Sequence, residues 1–593
     1  VEAEAAARRA LKENPESVDL QILLQQVLLA GQSEETMNLL PLAEALARNP
    51  ATARRAEAIR AVDAARSSGK LGDEAVLARL AEEFADDATI QIFVTRRLVE
   101  SNPPRLAEAA RIMRRAAVRF PTDFQVHRLA SRTLLAAGDL EAALASATAW
   151  RALERNPAAD LTVAEVQVSG GRARQALEAV REYSLPVPIE PSDSISLGVL
   201  SVRFRSHLIL GGAAAAAPII QPHLRDSAFI RTGIALPSTA VIARNPSDVQ
   251  ELMRLISAAA DPGSEDEQIA IIQTWIIASN RLPAAAAEFL KEAARVSEVL
   301  CTSSPSSRCL EQRARVLELS GDLPAALAAA RQAVAISADS PAALLTLSRI
   351  VIAAGADPVE AISSAERAVS ATSDSTEAKN ALLNARVYKF VSLSDKGTPE
   401  ERLTARREAL EGLQQLSSKS IPDYRIIFNM AISADQLEDY PSAIALYERI
   451  VTMPGGPTGA ELGAAKNNLA YLLLNQNRSG PPNEAVFRAR TLAEEAVRLV
   501  GLATIYETLG SINARIGDRP AAIAAYRKAL EIDQNDVASL IGLAGLLVSG
   551  SSPEQDEASG ILRRVDEQIA SGKVLEPRRA DEYNQIKKSL TPR

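Results

Sequence analysis

The stretch ATIYETLGSINARIGDRPAAIAAYRKALEIDQND, residues 503–536, reads as two helices joined by a tight turn. Tyr506, Leu509, Gly510 and Ile516 fall on one face of the first helix. Gly517-Asp518 ends it, because glycine enters the left-handed conformation without a Cβ clash. Ala522, Tyr526, Ala529 and Leu530 then form the facing side of a second helix.

This 34-residue layout resembles the tetratricopeptide repeat, with Gln534 standing where that family places a proline. The same pattern recurs on both sides of it. Residues 124–157 repeat it through Leu134, the Gly138-Asp139 turn, Ala143 and Ala147. Residues 307–340 do so through Gly321-Asp322, Ala326, Ala330 and Ala333, and residues 424–457 through Asp439-Tyr440, Ala443, Tyr447 and Ile450. About fifteen helical pairs are counted by the 20–50-residue periods of such arrays. Residues 578–590 read as a polar closing helix, which the end of a solenoid needs to stay soluble.

Three segments follow from this pattern. Residues 1–185 form an N-terminal array that starts mid-repeat, since Ala3, Ala7, Ala10 and Pro15 match a second helix. The chain is therefore expected to be a piece of a longer one. Residues 186–306 are expected to hold divergent helical hairpins, because LPVPIEPSD at 185–193 breaks any helix and the glycine-aspartate turns disappear. Residues 307–593 form a C-terminal array with its capping helix. The expected fold is all-α, an α-solenoid of helical hairpins. The resemblance implies that they wind into a right-handed superhelix.

Composition agrees. Hydrophobic residues make up 47% of the 593, but aromatics only 4%, so small side chains carry the apolar count and let helices approach closely. Lys+Arg is 66 and Asp+Glu 74, a formal charge of −8 that argues against general nucleic-acid binding. No apolar run is long enough to span a membrane. Arginine outnumbers lysine and alanine is abundant, which fits a high-GC bacterial coding bias.

Little points to catalysis. The three histidines are His127, His207 and His223. His127 falls at a packing position, and the other two have no metal-ligand spacing. Gly170-Gly171 and Gly211-Gly212 lie between helices and belong to no phosphate-binding string. The expectation is a non-catalytic protein without cofactor or metal.

Cys301 and Cys309 flank the loop TSSPSSR. Their closeness suits a disulfide, and hence an oxidising compartment, while two reduced apolar thiols remain the other reading.

In tetratricopeptide proteins the binding groove is lined by the first helices, mainly at the second, fifth, ninth and twelfth repeat positions. Carried over, these are Arg96, then Gln125, Arg128 and Arg132, in the N-terminal arm. The middle offers Arg308, Glu311, Arg315, Glu318 and Arg349. The C-terminal arm offers Phe428, Asn467, Tyr471, Glu507 and Ser511. The fifth positions Phe428, Asn467, Glu507 and Ile541 do not form the family's carboxylate clamp for chaperone tails, and its asparagine ladder is missing too.

The resemblance implies a scaffold that binds a partner protein or peptide, as a member of a larger complex. Arg96, Arg128, Arg132, Arg315, Asn467 and Tyr471 are the candidate partner-binding residues. Arg96, Arg128 and Arg132 suit an acidic, extended segment, because guanidinium pairs with carboxylates in a two-pronged geometry. The plainer alternative pairs them with nearby glutamates on a solvated face. Two other functions stay open: a component of a bacterial envelope-assembly or polysaccharide-export machine, in the periplasm or cell envelope, and the substrate-recognition part of a larger enzyme.

Overall fold

The computed structural model describes residues 2–14, 17–30, 40–50, 52–101, 104–225, 227–372, 375–393, 397–418, 421, 423–453, 456–477, 480–571, 574–575 and 577–590. Among these residues there are 31 α-helices and no strand. None of these helices is long and apolar enough to cross a membrane. The chain divides into two compact units, Val1–Ser337 and Ala338–Arg593. Each is a run of tetratricopeptide-like helical hairpins.

The first unit holds α1 (Glu2–Glu13), α2 (Val18–Ala30), α3 (Leu40–Ala47), α4 (Ala53–Ser67), α5 (Glu74–Glu83), α6 (Ala88–Glu100), α7 (Leu106–Arg119), α8 (Phe124–Ala136) and α9 (Leu140–Leu153). It continues with α10 (Pro157–Ser169), α11 (Ala173–Ala179), α12 (Ser194–Leu224), α13 (Leu236–Ile242), α14 (Pro246–Ala259), α15 (Glu265–Arg281), α16 (Ala286–Ser303), α17 (Ser307–Leu319) and α18 (Leu323–Ile336). The second unit holds α19 (Pro341–Ala353), α20 (Pro358–Thr372), α21 (Thr376–Ser392), α22 (Pro399–Ser417), α23 (Tyr424–Gln436), α24 (Tyr440–Thr452) and α25 (Gly459–Gln476). Beyond these come α26 (Glu484–Leu499), α27 (Ala503–Ile516), α28 (Arg519–Ile532), α29 (Val537–Leu547), α30 (Ser552–Ala570) and α31 (Pro577–Leu590). Each helix packs mainly on its neighbours in sequence, and first helices also touch the next first helix, as α6 does α8 and α25 does α27.

One turn device makes the regular hairpins. Gly138, Gly321 and Gly517 sit at φ of +80°, +83° and +91°. That left-handed residue lets the aspartate amide reach back to the preceding helix: Asp518 N–H donates to the Asn513 carbonyl at 2.9 Å. The same aspartate then caps the next helix, accepting from Ala142 N (3.3 Å), Ala325 N (3.1 Å) and Ala521 N (3.2 Å) in the three turns. At the fourth such turn Glu438 takes the left-handed position (φ 59°) that glycine takes elsewhere, and Asp439 still caps.

Packing at residues 503–536 centres on Tyr526. It is buried, as are Gly510, Ala522 and Ala529. Leu509 and Ile516, expected on the packed face, are only half-buried against the adjoining core, while Ile505 and Ile512 are fully buried. The face is turned by part of a step, because the first helix must also meet the hairpin before it.

Between residues 186 and 306 the helices are irregular. α12 bends at Gly211 and Gly212, whose backbone leaves helical geometry. Gly212 has φ +64° and ψ −157°, a region open essentially to glycine. The Asp248 carboxylate from α14 caps the restarted helix, accepting from Ala213 N at 2.7 Å. A Cβ at Gly212 would stand 2.5 Å from Asp248 Oδ1. Gly212→Ala is therefore expected to destabilise this unit by roughly 1–3 kcal/mol, read as a lowered denaturation midpoint. An unchanged midpoint would mean the bend relaxes without strain.

Candidate functional site

The first helices α6, α8, α10 and α12 pack in succession and give the N-terminal arm one continuous face. Asp87 starts α6 by accepting from Thr89 N (2.8 Å) and Ile90 N, and Asp123 starts α8 likewise from Gln125 N (2.9 Å) and Val126 N. Arg96 is half-buried on α6. It borders a small cavity of ≈ 30 Å³ shared with Phe93, Asp123 and Gln125. Arg128 is half-buried on α8, and Arg132 is exposed one turn further on. None of the three makes an ion pair or side-chain hydrogen bond among the described residues.

Arginines on or beside the second helices are mixed: Arg115, Arg119 and Arg174 are exposed and make no ion pair among the described residues, while others are paired. Arg114 holds Asp139 (2.5 Å), Arg151 holds Asp160 (2.6 Å) and Arg172 holds Glu141 (2.5 Å). Beyond Arg132 the same face carries Glu165 on α10 and Arg205 on α12, neither found by sequence reasoning. Burial raises the Glu165 pKa, and the charges of Arg205 and Arg132 oppose that rise. Burial lowers the Arg205 pKa, and its guanidinium donates to Ser169 Oγ at 3.3 Å. Counted from the N-caps Asn156 and Asp193, they stand at the ninth and twelfth positions of their first helices, as Arg132 stands ninth from Asp123, and the sequence reading passed over them because the repeat weakens in this stretch.

His127 is buried, with Nε2 3.2 Å from the Pro121 carbonyl, a packed core histidine. Arg315 is exposed on α17, well along the chain from α8. Cys301, in the last turn of α16, and Cys309, in the first turn of α17, have Cα atoms 5.6 Å apart. That lies inside the span of about 4.4–6.8 Å which a disulfide bridges.

In the second unit, Asn467 and Tyr471 lie one turn apart on α25. The Asn467 Oδ1 is buried without a hydrogen-bond partner among the described residues. Its neighbour Asn468 donates to Tyr447 Oη at 3.0 Å, and Tyr447 meets Phe428 edge-on at 5.5 Å between ring centroids. Tyr471 is 36% exposed. One hairpin later, Glu507 on α27 is paired by Arg579 of α31 (2.5 Å) and accepts from Ser511 at 3.0 Å. Burial pushes the Glu507 pKa up, countered by Arg579 and Ser511. A cavity of ≈ 420 Å³ lies beside them, walled by α25, α27, α29 and α31, with Ser511, Tyr526, Gly542 and Arg579 in its lining. The closing helix, expected as an end cap, thus reaches back onto the groove positions.

No family model matches the sequence, and no curated protein sequence does. Solved structures of repeat proteins are similar in arrangement. Cut9 in the APC/C Cut9–Hcn1 hetero-tetramer shares 12% identity over 86% of this chain and 98% of its own, with a TM-score of 0.35. Yeast Tom70 shares 12% over 85% of this chain and 100% of its own, at 0.34. A tetratricopeptide repeat protein from Parabacteroides merdae shares 14% over 45% of this chain and 91% of its own, at 0.31. At these values the likeness carries no argument of its own, and the fold rests on the hairpins and turns described above.

Proposed function

We propose that this chain is a non-catalytic scaffold that binds a partner protein within a larger complex, and that α6 and α8 take an acidic, extended segment of that partner. The observation that carries it is the placement of three guanidinium groups on two first helices that pack side by side, none of them taken up in an ion pair among the described residues. Arg96 and Arg128 have no carboxylate partner, and Arg132 makes no ion pair but lies within the electrostatic reach of the buried Glu165 on α10. Unpaired guanidinium on a protein of net charge −8 is a local feature that suits carboxylate ligands.

The test uses a labelled peptide of alternating glutamate and serine, followed by fluorescence anisotropy. Affinity should fall as ionic strength rises, because exposed charges are screened. Arg128→Glu with Arg132→Glu should abolish binding while the helical circular dichroism stays intact. Equal affinity in the double variant would overturn the proposal, and Asn467 and Tyr471 would become the next site to test.

The cysteine pair favours a second reading, a component of an envelope-assembly or export machine in the periplasm or cell envelope. Alkylation without reductant, on protein taken from its native compartment, should then leave both Cys301 and Cys309 unmodified. The bridge closes a short loop and would add about 2–3 kcal/mol at most. Two alkylated thiols would remove both the bridge and the oxidising compartment.

A further inference from the structure

α31 is fastened to the second unit through polar groups and two buried side chains, Tyr583 and Ile586. Arg579 pairs with Glu507 of α27 and with Glu582 on its own helix (3.0 Å). The Tyr583 hydroxyl donates to Asp566 of α30, and Lys587 Nζ reaches the same carboxylate at 2.9 Å. Of its described side chains only Tyr583 and Ile586 are buried. Arginine, tyrosine and isoleucine here stand at i, i+4 and i+7, a single stripe along one helix face.

What lies beneath that stripe is close-packed only in part: Tyr583 and Ile586 join the buried cluster of α28, α29 and α30. Beside that contact an open pocket of ≈ 420 Å³ lies between α31 and parts of α25, α27 and α29. Its floor is kept low by glycines. A Cβ at Gly545 would come 3.3 Å from Ile586 Cδ1, and one at Gly542 would enter the Tyr526 ring. Glu507 gives the groove a fixed demand, since a carboxylate this enclosed needs a cation beside it. Its side chain is 12% exposed and that of Arg579 16%. The arrangement is a helix laid in a groove by one charged anchor and two apolar ones, the mode by which amphipathic helices dock between proteins.

We propose that the groove of α25, α27 and α29 is a helix-binding site, that α31 is its displaceable occupant, and that a partner helix presenting an arginine with apolar side chains four and seven residues later takes its place. The partner differs in kind from the acidic segment assigned to the N-terminal arm, and the two sites stand or fall separately.

The probe is a labelled synthetic peptide of the α31 sequence, PRRADEYNQIKKSL, added to the full chain. While α31 is seated only a small fraction of molecules offers an open groove, and apparent affinity falls by that fraction. A chain carrying Arg579→Ala and Tyr583→Ala should therefore bind the peptide about tenfold tighter or more than the unaltered chain. Adding Glu507→Gln to that variant should remove the gain, and a peptide with glutamate in place of its Arg579 should not bind. Equal affinity for both chains, or a gain indifferent to Glu507, would overturn the proposal. Hydrogen exchange on the unaltered chain gives an independent measure: α31 amides should exchange faster than those of α27 and α29. Equal protection would make α31 a fixed part of the core and would also overturn it.

Discussion

Replacing Arg231 by methionine is expected to destabilise the first unit by about 3–5 kcal/mol. The Arg231 guanidinium grips Glu267 with two hydrogen bonds, Nε to Oε2 at 2.9 Å and Nη2 to Oε1 at 2.7 Å. Both side chains are almost fully enclosed, at 7% and 5% exposure. The remaining donors are used as well, since Nη1 donates to the Leu224 carbonyl at the end of α12. Glu267 also accepts from Asp261 N at 3.1 Å. One pair therefore joins the end of α12, the π-helical turn Ile230–Ala235 and the start of α15. Removing the cation strands a buried carboxylate, and that desolvated charge dominates the loss. Arg231→Met together with Glu267→Leu should recover most of it, because no charge is then left unanswered. Denaturant unfolding followed by the fluorescence of Trp275, two turns along α15, reads both. Single and double variants of equal stability would mean the pair is not what holds this junction.

The second large effect is expected at Tyr526, where alanine should cost about 3–5 kcal/mol as a large-to-small change in a packed core. Tyr526 is 3% exposed and lies between two first helices. The glycines on either side are shaped to it: a Cβ at Gly510 would come 2.8 Å from its ring and one at Gly542 2.4 Å. Its hydroxyl meets Ser511 Oγ at 3.1 Å, and burial pushes its pKa up to about 12, so it stays protonated and able to donate at neutral pH. Tyr526→Phe removes only that bond and should cost about 0.5–1.5 kcal/mol. Gly542→Ala should be damaging beside tyrosine and much milder beside Tyr526→Ala, a coupling that thermal denaturation of the four-membered cycle measures. Additive effects would mean that the ring and the glycine do not share one space.

The regular hairpins were legible because their signals are local. Gly517 and Asp518 stop one helix and start the next within two residues, and Ala522, Tyr526 and Ala529 recur at helical spacing. Fine rotation was less legible. Leu509 and Ile505 both fit a packed face, and only contact with the preceding hairpin decides that Ile505 goes under. Pairs that join distant residues left no local trace. Arg231 and Glu267 sit in the stretch where the repeat fades, and Arg579 meets Glu507 across more than two helices. The C-terminal helix itself was readable from its polarity, but not the groove it enters.

The candidate site divides in the same manner. Arg128 and Arg132 fall one turn apart on a first helix, so the sequence places them on one face. Whether a carboxylate stands within reach depends on neighbouring helices, which the sequence does not order in space. Asn467 shows the converse: its position was legible, but its buried, unpartnered amide oxygen was not.

Hydrogen exchange of the full chain with and without the glutamate-serine peptide tests the scaffold reading most directly. Slower exchange confined to α6 and α8 is expected, with the loss of that protection in the Arg128→Glu, Arg132→Glu variant. Exchange unchanged in those helices at saturating peptide, or protection that survives the double variant, would contradict an arginine-lined acidic-segment site.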